Sequence, residues 1–105
     1  IKFLKMNLKL NKIENVKPIL GDAKEIFPEL SKIDRCIMNL PKSSFKFLSL
    51  ALKYARITHL YSLVENLERE IEKIKNFDKR IRIGEIVKVK SYSPKKSIYR
   101  FDIWS

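Results

Sequence analysis

Apolar residues recur along this chain with two periods, and the period changes several times. Ile1, Leu4, Leu8 and Ile13, with Phe3 and Leu10 beside them, share one helical face and predict a helix over residues 1–13. No capping residue precedes it, so the pattern begins as if already under way. Val16 to Leu20 predicts a short strand, interrupted by Pro18 and so suited to an edge or a bulge. Gly21-Asp22-Ala23 turns the chain into a short helix with Ile26, Phe27 and Leu30 as its apolar face. Arg35 to Met38 is nearly continuous in apolar character, as a strand covered on both faces should be. Ser43 or Ser44 can cap the next helix, whose buried stripe is Phe47, Leu48, Ala51, Leu52 and Ala55.

The second half is more regular. Arg56 to Leu63 predicts a strand, and Val64 to Asn76 a charged helix with Leu67, Ile71 and Ile74 on one face. Ile81–Val89 and Ser97–Ile103 predict two longer strands joined by Tyr92-Ser93-Pro94-Lys95-Lys96, most simply an antiparallel hairpin. Strands alternating with helices imply parallel βαβ units, and the hairpin adds an antiparallel edge. The predicted fold class is α/β.

Composition narrows the reading. With 105 residues, 45% hydrophobic and 33% charged, the chain has the size and balance of one small globular domain. No apolar run approaches the roughly 20 residues that span a bilayer. Cys36 is the single cysteine and lies inside an apolar strand. That excludes an internal disulfide, points to a structural thiol and fits a reducing, cytoplasmic setting. Charge carries more: 23 Lys and Arg against 12 Asp and Glu give +11. Such an excess attracts polyanions, nucleic acid first among them.

Ligands of open α/β sheets bind beyond the carboxyl ends of the strands. Two motifs fall there. The carboxylate of Asp22 can accept from an exocyclic amine, which together with turn N–H groups suits an adenine; the alternative is a helix N-cap. Asn39-Leu40-Pro41 closes the next strand with a loop that Pro41 stiffens without glycine, so that Asn39 offers an amide donor and acceptor at a fixed place. His59, the only histidine, sits within a strand, either packed there or available as a base, and no cluster has metal-ligand spacing. Gly21 and Gly84 are the only glycines, so no Gly-rich phosphate loop exists. Lys88, Lys90, Lys95, Lys96 and Arg100, interleaved with Tyr92 and Tyr99, suit phosphate contact and base stacking, or simply defend a sheet edge.

Three stretches together, "NKIENVKPILGDAKEI", "DRCIMNLPKSSFKFLSLAL" and "VKSYSP…YRFDI", resemble the C-terminal half of the catalytic domain of the archaeal and eukaryotic tRNA (guanine-37-N1)-methyltransferases. The resemblance runs over essentially the whole chain. It implies the C-terminal part of a class I methyltransferase Rossmann-like sheet, strands 3 to 7 in the order 3-2-1-4-5-7-6, closed by the antiparallel hairpin. Asp22 and Ala23 would hold the adenine of S-adenosylmethionine. Asn39, Leu40 and Pro41 would line the pocket near the methionine end and the incoming guanine, with Asn39 and Pro41 closest to catalysis. Lys90, Tyr92 and Pro94 match a late family motif and, with Lys95, Lys96 and Arg100, would face the tRNA. His59 and Tyr61 match a family strand from which Leu60 departs. The implied chemistry is methyl transfer to guanine N1, with a base removing the N1 proton.

The same resemblance implies that the Gly-rich cofactor loop, the ribose-binding acid, the proton-removing groups and the tRNA-binding domains lie upstream. Residues 1–105 would then be an incomplete catalytic domain, completed by an upstream half that is covalent or a second chain. Two other readings stand beside it. One is a non-catalytic basic RNA-binding module; the other is the sister aminocarboxypropyl transferase of wybutosine synthesis, which to this reading usually lacks Asn-Leu-Pro after the strand.

Overall fold

The computed structural model describes residues 1–29, 32–39 and 47–105. Helix α1 spans Lys2–Leu10. It stops where Lys12 takes a positive φ of 54°. Ile13 N–H then donates to the Leu8 carbonyl and Lys12 N–H to that of Lys9, which satisfies the helix's last carbonyls. A short helix α2 (Ala23–Ile26) and a 3-10 turn (Phe27–Glu29) lead to strand β1, Ile33–Met38. Helix α3 (Leu48–Tyr54) runs straight into β2 (Ala55–Val64), and α4 (Leu67–Phe77) precedes the hairpin of β3 (Arg82–Ser91) and β4 (Ser97–Trp104).

The four strands form one sheet in the order β1-β2-β4-β3. β1 and β2 are parallel, whereas β4 is antiparallel to both β2 and β3. This is the 4-5-7-6 order that the resemblance implies. In β2 the residues alternate: Thr58, Leu60, Ser62 and Val64 are buried, and Ile57, His59, Tyr61 and Leu63 are less so. The buried side meets Phe101 and Ile103 of β4, Leu48 and Ala51 of α3, and Ile74 of α4 in one core. Leu67 and Ile71 pack against it, so the predicted apolar face of α4 is the observed one. Ser62 also donates to Glu70 Oε1 at 2.7 Å, pinning α4 to β2.

Two expectations about strands need correction. Residues 16–20 form no strand, and Val16, Ile19 and Leu20 are exposed. A strand exists through a partner ladder; no described strand runs beside this segment, and Pro18 has no N–H to offer one. β1 is not covered on both faces either. Among the described residues it pairs with β2 alone, as the implied order with strand 1 upstream would leave it, with Cys36 and Met38 facing the core and Ile37 69% exposed. The predicted caps Ser43 and Ser44 lie outside the described residues, as does Leu30. Within the described residues α3 begins after Phe47 with no side-chain cap.

Candidate functional site

Sheet register decides which candidate residues can share a site. Met38 at the end of β1 pairs with Leu60, and β2 runs four residues further, to Val64. Val64 pairs with Ser97, and Ser97 with Ser91. The turn between β3 and β4 therefore lies at the same rim as Asn39, overhanging it by about 13 Å of strand. Asn39 follows β1 directly and is exposed.

The turn is well fixed. Tyr92 and Ser93 N–H groups both donate to the Lys96 carbonyl, at 2.9 and 3.0 Å, and Ser93 Oγ accepts from Lys96 N–H at 3.2 Å. A bulge between Lys88 and Lys90 leaves Val89 as the extra residue just before the turn, and such bulges re-aim the side chains beside them. Lys90, Pro94, Lys95 and Lys96 are exposed, and Tyr92 is 54% exposed.

Beside the turn, the start of α4 completes the rim. A cavity of about 590 Å³ is lined by Leu63, Glu65, Asn66, Arg69, Glu70 and Lys96. Asn66 caps α4 by accepting from Arg69 N–H at 3.1 Å. The sequence reading missed this group because it started the helix at Val64; the signal was Asn66 itself, a strong N-cap residue followed by acidic residues in the first turn. A larger cavity, about 680 Å³, lies at the other end of β1 and β2 and is lined by Asp34, Arg35, Arg56, Ile57 and Trp104. The rim is the better candidate, because parallel strands present their ligand crevice at their carboxyl ends.

Other predicted residues fall elsewhere. Asp22 stands exposed at the turn before α2, outside the sheet, and its carbonyl accepts from Glu25 and Ile26 N–H at 2.9 Å. Gly21 makes that turn possible: its φ is +154°, and a Cβ there would lie 2.8 Å from the Ile26 side chain. Leu40 and Pro41 lie outside the described residues, and of Ala23 only the backbone, at the start of α2, is described. Arg100 is already committed. Its Nη2 donates to Asp102 Oδ2 at 3.3 Å and approaches Glu85 at 3.4 Å, while its Nε sits 3.1 Å from Asp102 Oδ1 but out of line for a hydrogen bond. It braces the sheet rather than pointing a free cation at a phosphate. Burial pushes the Cys36 thiol up, away from nucleophilic use. Among the described residues no group of three His, Cys, Asp or Glu side chains is placed to hold a metal ion.

The chemistry of two of these residues suits an S-adenosyl donor, although neither cavity is lined by either of them. Asp22 is a solvent-facing carboxylate on a glycine turn, able to accept from an adenine amine, and Asn39 supplies an amide at the rim.

Residues 1–90 match the model of the TRM5/TYW2 methyltransferase domain. Among curated relatives, the tRNA (guanine(37)-N(1))-methyltransferases Trm5b of Pyrococcus abyssi and Methanocaldococcus jannaschii are each 37% identical, over 91% and 97% of this chain. A tRNA(Phe) (4-demethylwyosine(37)-C(7)) aminocarboxypropyltransferase of M. jannaschii is 32% identical over 88%. The chain spans only 31%, 30% and 41% of these relatives' lengths, respectively. Among solved structures, the M. jannaschii tRNA m1G37 methyltransferase superposes with a TM-score of 0.80 at 34% identity, over 97% of this chain and 33% of that one. M. jannaschii TYW2 in complex with AdoMet also gives 0.80, at 30% identity, over 97% of this chain and 51% of that one.

Proposed function

Because this chain belongs to the TRM5/TYW2 methyltransferase domain family, we propose that it is part of the catalytic domain of an S-adenosylmethionine-dependent enzyme that methylates N1 of the guanine at position 37 of tRNA. The observation that carries the reading is the shared rim: Asn39 at the end of β1 and a fixed basic and aromatic hairpin, two and three strands across, lie at the same end of the sheet. S-adenosylmethionine, when bound, supplies an electrophilic methyl group on sulfur. Bound there, it would give that methyl to guanine N1 as its bond to sulfur broke, with the N1 proton passing to a base. Asp22 accepts from the adenine amine and so orients the donor. Asn39 reads the edge of the incoming guanine and holds it in line, which is the contribution positioning makes to such a transfer. Ala23, Leu40 and Pro41 enter this reading only as positions of the family motifs they match.

Lys90, Lys95 and Lys96 meet backbone phosphates, while Tyr92 offers a face for an unstacked anticodon-loop base, as single-stranded RNA recognition requires. Pro94 keeps the turn rigid. Arg69 and Lys96 flank the rim cavity and extend the same cationic edge. Action on tRNA implies a cytoplasmic setting, and the reading takes the rest of the catalytic domain, in the same or a second polypeptide, as the partner of this part.

The aminocarboxypropyl reaction remains the second reading, because the relative named for it and the TYW2 structure match over nearly as much of the chain. Asn39-Leu40-Pro41 favours methyl transfer. In the full-length protein, Asn39→Ala should lower kcat for tRNA methylation by about a hundredfold while tRNA affinity changes little. An unaffected kcat would remove Asn39 from the site.

A further inference from the structure

The sheet face turned away from α3 and α4 carries a line of polar side chains that crosses all four strands. Glu85 of β3 meets Arg100 of β4, and Arg100 meets Asp102 on the same strand. Asp102 Oδ1 lies 2.6 Å from His59 Nδ1 on β2, and His59 Nε2 lies 3.1 Å from Arg35 Nη1 on β1. Hydrogen-bond chemistry orders the line. A guanidinium has donors only, so Arg35 must donate and His59 Nε2 must accept. The imidazole proton is therefore on Nδ1, where it donates to Asp102.

That arrangement gives the two ring nitrogens different work. Nδ1–H anchors the ring to Asp102, and both of these side chains are only 16% exposed, so water screens the pair little. The bare Nε2 reaches across to the exposed side chain of Arg35 on β1. Among the described residues β1 pairs with β2 alone. The ion pair between β1 and β2, Asp34 with Arg56 at 3.6 Å, has side chains 87% and 73% exposed and holds little. Arg35 stands four residues before Asn39, on the strand that delivers it to the rim.

We infer that His59 is a positioning residue: held by Asp102 as the Nδ1–H tautomer, it grips Arg35 through Nε2 and so fixes the end of β1 and the placement of Asn39. This rests on the proposed role of Asn39 in methyl transfer. His59 touches neither reactant and acts through Arg35.

Two substitutions in the full-length protein separate the nitrogens. His59→Asn keeps a donor where Nδ1 was and removes the acceptor for Arg35. His59→Gln puts an amide oxygen where Nε2 was and gives up the bond to Asp102, which keeps Arg100. His59→Asn should lower kcat on the order of tenfold with KM for S-adenosylmethionine nearly unchanged, and His59→Gln should restore most of the rate. Arg35→Met should match His59→Asn, and combining the two should add nothing. Equal losses in the Asn and Gln variants, a loss confined to Gln, or no loss in either would overturn the inference.

Hydrogen exchange of the amides of residues 36–39 gives a readout that does not need activity. Exchange should quicken in His59→Asn and Arg35→Met and stay slow in His59→Gln; unchanged exchange in the first two would also overturn it. If the unaltered protein methylated no tRNA, the proposed function would fall while the exchange result still decided the link.

Discussion

Cys36 and Thr58 sit opposite each other on β1 and β2, and both turn towards the core. A lone cysteine inside an apolar run was legible as a packed thiol, and burial does raise its pKa. The sign follows directly. A thiol whose folded pKa lies above its unfolded value adds stability that is fully present below the unfolded pKa and is lost as pH rises through the folded one. Alkylation of Cys36 by iodoacetamide at neutral pH should therefore be slower than that of a free thiol by roughly fivefold, and should accelerate on unfolding in urea; equal rates would show an open thiol. The tie between Arg35, His59 and Asp102 was not legible. Positions 35, 59 and 102 carry no local signal of proximity, because only sheet register brings them to one level.

Elements with their own periodicity were readable: β2, α4, β3 and β4 fall within a few residues of where alternation or helical spacing puts them. Elements that depend on neighbours were not. Residues 16–20 have strand-like composition without a ladder partner among the described residues, and β1, paired there with β2 alone, leaves apolar Ile37 exposed. The start of α4 was displaced by apolar Val64, which belongs to the strand. Asn66 marks the true beginning, and its side chain satisfies one of the helix's orphan N–H groups. Asn66→Ala should destabilise the fold by about 1 kcal/mol in urea unfolding, and Asn66→Asp should restore most of that. No change in either would mean that the Ser62–Glu70 bond and the Ile74 contact alone set the helix.

The net charge of +11 is a property of the whole molecule, and among the described residues the hairpin lysines and Arg69 hold no ion pair with an acid. Arg100 shows why counting cations along a strand overstates a binding surface, since two acids already hold it. Replacing Lys90, Lys95 and Lys96 together by Gln should weaken tRNA binding and lower the salt slope of log affinity by about 2. An unchanged slope would move the RNA contact off the hairpin. The most direct test of the account is the product itself. Full-length protein would be incubated with S-adenosylmethionine and an unmodified tRNA carrying guanine at position 37, and the digested nucleosides read by mass spectrometry. The account predicts N1-methylguanosine, absent when that guanine is replaced by adenine. An aminocarboxypropyl adduct, or RNA that binds and returns unmodified, would contradict it.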